Sequence, residues 1–145
     1  MNNIITTKEL EKYIQSLYNR LLPVFQADGV YKALDVYFDV GTPKGIDGSF
    51  CYSDNQGYHF GVSDRGRQRA NITTNSLKEL AFVVLEEEIF WVAHDYEKQH
   101  RIEGQDSRRL LFQKIIQYWN VIGEEYADLA RKDIKKILDK APFID

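Results

Sequence analysis

Hydrophobic positions along this chain change their period twice. In TTKELEKYIQSLYNRLLP, which opens at Thr6, the residues Leu10, Ile14, Leu17 and Leu21 recur at spacings of four, three and four. That spacing predicts an amphipathic helix. Thr6 and Glu9 stand three apart, as in a capping box at its start. Pro23 has no amide hydrogen to donate, which predicts a stop at Leu22 or just before. From residue 30 the period falls to two: in ALDVYFDV, Leu34, Val36 and Phe38 alternate with Asp35, Tyr37 and Asp39. That is a strand pattern. GTPKGIDG reads as a loop, and SFCYS and YHFGV flank DNQG, a hairpin signal with Gly57 available for positive φ. A second turn at SDRG leads into RQRANITT as a fourth strand. The middle third is therefore an antiparallel meander of about four strands.

Beyond Ser76 the period returns to that of a helix. Ser76 and Glu79 repeat the capping-box spacing. Lys78, Ala81, Leu85, Ile89, Val92 and Tyr96 trace one stripe, Leu77, Val84 and Trp91 an adjacent one, and Phe82, Val83 and Phe90 widen it. So wide an apolar surface predicts a central helix covered on several sides. Gly104 breaks it, and Asp106 is placed to cap a second helix from about Ser107, with Leu111, Ile115, Trp119 and Ile122 in register. Gly123 reads as a C′ residue. A third helix begins near Glu124 with Tyr126, Ala130, Ile134 and Ile137 facing inward, and Pro142 ends it. The expectation is a single α+β domain over residues 1–145, with an N-terminal helix, a central antiparallel sheet and three C-terminal helices.

Composition narrows the function classes. The 145 residues carry a net charge of −3, which argues against a general affinity for nucleic acid and suits a basic partner. The one cysteine, Cys51, has no internal disulfide partner. The stretch MNNIITTKELEKY shows no basic segment leading into an apolar one, and the longest apolar run, LAFVVL, is too short to span a bilayer. A cytoplasmic protein that is monomeric when free is expected.

Candidate chemistry is sparse. Glu97 and His100 share a helical face, like one half of a dinuclear carboxylate site, but such a site needs a second pair and two further carboxylates. His94 lies six residues before His100, off that face. A small metal-dependent or hydrolytic enzyme using His94, Glu97 and His100 is the alternative function; no metal or cofactor is expected. Cys51 and His59 could approach across the hairpin, yet Phe50, Tyr52, Tyr58 and Phe60 around them indicate packing. Arg65, Arg67 and Arg69 alternate and would share one face of a strand, where Asp35 and Asp39 could neutralise them. The carboxylates Asp35, Asp39, Asp47, Asp54 and Asp64, with Glu86 and Glu87 from the Glu86–Glu88 run, form a candidate negative surface that steers a basic partner.

The densest polar stretch is YEKQHRIEGQDSRRLLF, Tyr96 to Phe112. On spacing alone it is a charged corner that fixes two helices, with Arg101, Glu103, Arg108 and Arg109 close enough to pair around it. The same run resembles the signature of the bacterial immunity proteins of family sixty-three, found in polymorphic toxin and contact-dependent growth inhibition systems. The resembling residues are Tyr96, Glu97, Arg101, Glu103, Gly104, Gln105, Asp106, Arg108, Arg109 and Phe112. The resemblance implies a non-enzymatic cytoplasmic protein that binds the C-terminal domain of one cognate toxin, one-to-one, and blocks its active site or substrate access. These motif residues would serve the fold, and the acidic set would serve the toxin.

Overall fold

The computed structural model describes residues 3–145, apart from the side chains of Arg69 and Ala70. Its elements run α1 (Thr7–Ala27), a short 3-10 turn (Pro43–Gly45), β1 (Gly48–Asp54), β2 (Gly57–Asp64), β3 (Arg67–Thr74), α2 (Leu77–Gln99), α3 (Ser107–Ile122) and α4 (Glu124–Lys140). This is the expected α+β order. Packing divides the chain into two compact units: the stretch up to Tyr18 with Ala33–Glu86, and Asn19–Lys32 with Glu87–Asp145.

The first unit holds the sheet, ordered β1-β2-β3 and antiparallel. The segment read as the first strand runs beside β1 but pairs at one residue only. Tyr37 donates its amide to Ser49 O and accepts from Cys51 N, both at 2.8 Å, in a parallel bridge to Phe50. The β2–β3 connection is a two-residue turn with positive φ at both Arg65 and Gly66. That geometry matches the twist of a hairpin. Arg65 therefore lies in the turn, so it shares no strand face with Arg67; the side chain of Arg69 lies outside the described residues. The capping box at Thr6 is reciprocal, with Thr6 N to Glu9 Oε1 and Glu9 N to Thr6 Oγ1 both 3.1 Å. At α2 only half of one forms. Glu79 N reaches Ser76 Oγ, while the Glu79 carboxylate accepts from Thr74 Oγ1. Leu10, Ile14, Leu17, Tyr18, Phe50, Cys51, Tyr58, Phe60, Leu80 and Leu85 are buried in this unit.

In the second unit, Pro23 does not end α1. The helix runs one further turn because Leu21 and Phe25, both fully buried, anchor it on either side of the proline. Burying a Leu or Phe side chain stabilises by about 1.5–3 kcal/mol. The end comes at Gly29, whose φ of +81° lets Gly29 N reach Gln26 O and Val30 N reach Phe25 O. This is the Schellman closure. Gly123 departs from its expected role: with φ 167° it is extended backbone, capping α3 and starting α4 at one residue. Across that corner Trp119 stacks on Tyr126 at 5.8 Å. The inward register holds for Trp119, Ile122, Tyr126 and Ala130, but Ile137 is exposed, as are Phe90 and Trp91 on α2.

Candidate functional site

The carboxylates proposed from sequence fall into separate neighbourhoods. Asp47 accepts the Arg65 amide at 2.8 Å, which ties the preceding loop to the β2–β3 turn. Asp64 sits at that same end of the sheet, where Arg65 and Arg67 follow it in the chain. Asp54 lies at the opposite end of β1, about 20 Å away at strand rise. There it accepts from Gln56 N and pairs with His59 Nε2, each at 2.8 Å. The His59 hydrogen bond, then the backbone amides, hold the Asp54 carboxyl below its usual range. Asp39 accepts from Val40 N, and Asp35 and Asp39 are both exposed. Glu86 and Glu87 are exposed, whereas Glu88 is buried against Lys32. Asp47 and Asp54 thus already serve the local fold.

Beside them, a shallow hollow of about 230 Å³ opens on the sheet, lined by Phe50, Tyr52, His59, Gln68, Asn71 and Thr73 among others. It coincides with an irregularity in the β2–β3 register between Phe60 and Val62. Gly61 makes room for the Phe50 ring that lines it, since a Cβ there would lie 2.6 Å from that ring. Tyr52 stacks on His59 at 4.6 Å, and His59 Nδ1 lies 3.0 Å from Thr73 Oγ1. Cys51 alternates away from His59: it pairs with Phe60, whereas His59 pairs with Tyr52. Its thiol is fully buried and burial pushes it up to about 12, so it is a packed side chain rather than a nucleophile.

The charged corner is a clamp, and part of its grip falls on a segment that sequence reasoning left out. Glu97, only 3% exposed, takes both arms of Arg101 at 2.7 and 3.0 Å. The Arg101 hydrogen bonds outweigh burial and lower the Glu97 carboxyl. Asp106 caps α3 through Arg108 N and also accepts Arg108 Nε and Nη2. A further bond reaches Asp106 from Ile144 N. Arg108 continues to Ala141 O and Pro142 O, and Arg109 pairs with Asp145, whose carboxylate also accepts Asp106 N. Phe143 lies against Phe112 and under the Arg109 guanidinium, 4.2 Å from its ring centre. The motif therefore holds the Ala141–Asp145 segment onto the start of α3. Arg108, then the amides of Ile144 and Arg108, hold the Asp106 carboxyl far below its usual range. Glu103, Gly104 and Gln105 form the exposed turn between, where Gly104 supplies a φ of +81°.

His94, Glu97 and His100 are drawn to separate partners. His100 Nδ1 lies 2.9 Å from Tyr96 O with its ring stacked on Tyr96. His94 packs on Phe90 and Trp91, and Glu97 belongs to Arg101. Among the described residues no group of three His, Cys, Asp or Glu side chains could hold a metal ion.

The sequence also concealed a buried ionic cluster. Lys114, 5% exposed, donates to Asp28 at 2.8 Å, and Tyr118 Oη donates to the same oxygen at 2.7 Å. Lys114 also lies 4.1 Å from the centre of the Tyr96 ring, which gives that motif residue its place. The signal was available: Lys114 stands in the inward register of α3, between Leu111 and Tyr118, where a charge requires a partner.

A family model described as Immunity protein 63 matches residues 54–136, from the last residue of β1 into α4, and the chain belongs to that family. No curated protein and no solved structure matches the chain.

Proposed function

We propose that this protein binds one cognate toxin domain, one-to-one, in the cytoplasm and neutralises it by covering its active site or substrate access. The observation that carries this reading is the family match over residues 54–136, which contains the Tyr96–Phe112 side of the clamp. Neutralisation of this kind needs a stable, preformed surface and no reaction of its own. The side chains that enzymatic alternatives would use are consistent with that, since Cys51 is a buried thiol and Glu97 is neutralised by Arg101. No described helix is long and apolar enough to cross a membrane. The exposed carboxylates Asp35, Asp39, Glu86 and Glu87 steer the encounter in this reading, and a toxin with a basic substrate cleft, such as a nuclease, is the complementary partner.

The test is co-expression with the C-terminal domain encoded by the gene immediately upstream. Restored growth and a 1:1 complex in calorimetry are expected. Intact toxicity with no heat of binding would reject the assignment to that toxin. Elemental analysis separates the enzymatic alternative: stoichiometric zinc, iron or manganese that vanishes in His100→Ala would favour the metal reading, and none is expected.

A further inference from the structure

The outer face of α2 carries an aromatic cluster that the second unit leaves uncovered. Trp91 is 51% and Phe90 39% exposed, although the inward residues of the same turns, Ile89, Val92 and Ala93, are buried. Phe90 and Trp91 meet edge-to-face at 5.4 Å. The His94 ring, one turn on, lies 5.8 Å from each, stacked on Phe90 and edge-on to Trp91. His94 Nδ1 is buried without a hydrogen-bond partner among the described residues. Exposed Glu87 precedes the cluster by one turn, and exposed Asp95 follows it.

Three arguments make this a binding face. A contiguous exposed aromatic cluster on a soluble domain marks an interaction site more often than a solitary apolar residue does. Trp is enriched among residues that dominate binding energy. The mutual ring contacts also hold these side chains before any partner arrives, which lowers the ordering cost of association. The whole face lies inside the span that defines the family, whereas Asp35, Asp39 and Asp47 lie outside it.

We infer that the outer face of α2, centred on Phe90, Trp91 and His94, is the contact anchor for the toxin domain, which presents an apolar hollow rimmed by basic side chains. The inference rests on the immunity reading and gives it a surface. Charge complementarity fixes the occupant: Asp95, exposed beside the rings, and the net charge of −3 call for cations opposite. A second copy of this chain would bring the same carboxylate and the same net charge, so self-association is the poorer match.

Two tryptophans make the test direct, because Trp119 is 1% exposed and Trp91 is half exposed. With the upstream-encoded toxin domain as probe, acrylamide quenching of the wild-type chain should fall on complex formation to the level of Trp119 alone. Trp91→Ala and Phe90→Ala should melt within a few degrees of wild type, because neither side chain belongs to the buried core. Each should raise Kd roughly 30-fold. Wild-type affinity in both variants, or undiminished quenching of Trp91 in the complex, would overturn the anchor while leaving the immunity function standing. A wild-type chain that does not bind the domain would remove both. A concentration-dependent dimer in sedimentation velocity, abolished by Trp91→Ala, would make the occupant a second copy and reject the toxin as the partner of this face.

Discussion

Lys114 shows how much one side chain can require of its surroundings. Its ammonium is buried, 2.8 Å from an Asp28 oxygen and within cation–π distance of Tyr96 and Tyr118. Burial alone would raise the Asp28 carboxyl, but the hydrogen bonds from Lys114 and Tyr118 outweigh it and hold Asp28 below its ordinary value. The same cluster, burial first, pushes the Tyr118 hydroxyl up, so it remains a donor. Asp28→Asn should therefore cost on the order of 3 kcal/mol, the consequence of leaving a buried charge without its counter-ion. The pH dependence has a definite sign. A depressed folded-state carboxyl contributes fully above its unfolded value of about 3.9 and loses that contribution as pH falls through the folded one. Urea unfolding should thus show the full gap between Asp28→Asn and wild type at neutral pH. The gap should narrow steadily below about pH 4. An equal gap at pH 7 and pH 3 would mean that the lost stability is steric rather than ionic.

At the scale of elements, the sequence was most legible where local chemistry decides the outcome. Thr6 with Glu9, Asp106 with Arg108 N, and the two hairpin turns needed only neighbours in the chain. It was least legible where burial overrode local preference. Pro23 is carried inside α1 by Leu21 and Phe25. The segment around Tyr37 alternates like a strand, yet pairs at one residue. The clamp shows both sides. Its carboxylates and arginines were evident, but its grip on Ala141–Asp145 was not, because nothing local links positions almost forty residues apart. Removing Asp106 takes away the α3 cap, the Arg108 fork and the Ile144 bond together. Asp106→Ala should lower Tm by about 5 °C, from the usual cost of a lost cap and the usual conversion to temperature. Ending the chain at Lys140 should do part of the same. Because the two changes remove shared contacts, their combined effect in calorimetry should be smaller than the sum. Strict additivity would show that the segment and the cap act independently.

At the scale of the whole molecule, binding divides into encounter and retention, and the two draw on different residues. Encounter depends on net charge, which is −3 here, and on carboxylates that face solvent. Retention depends on close contact, for which the rings on α2 are the candidates. Asp47 and Asp54 are poor probes of encounter, since Asp47 holds the Arg65 amide and Asp54 holds His59. Asp35 and Asp39 are better ones. Both are exposed, and an Asn at position 39 keeps an oxygen to accept Val40 N. Asp35→Asn with Asp39→Asn removes two negative charges with little change of shape. At low ionic strength, where screening is weak, association with the toxin domain should slow by about 2–5-fold. The deficit should shrink towards nothing near 0.5 M salt, about three times physiological strength, where the Debye length is well under 8 Å. Dissociation should change by less than about twofold, because charges at the rim alter on-rates more than off-rates. Trp91→Ala should show the converse, a faster off-rate with a nearly unchanged on-rate at every salt concentration. Stopped-flow traces at two ionic strengths resolve both. If the paired Asn variant associates as fast as wild type at low salt, the acidic surface plays no part in steering, and the aromatic face of α2 must account for recognition without it.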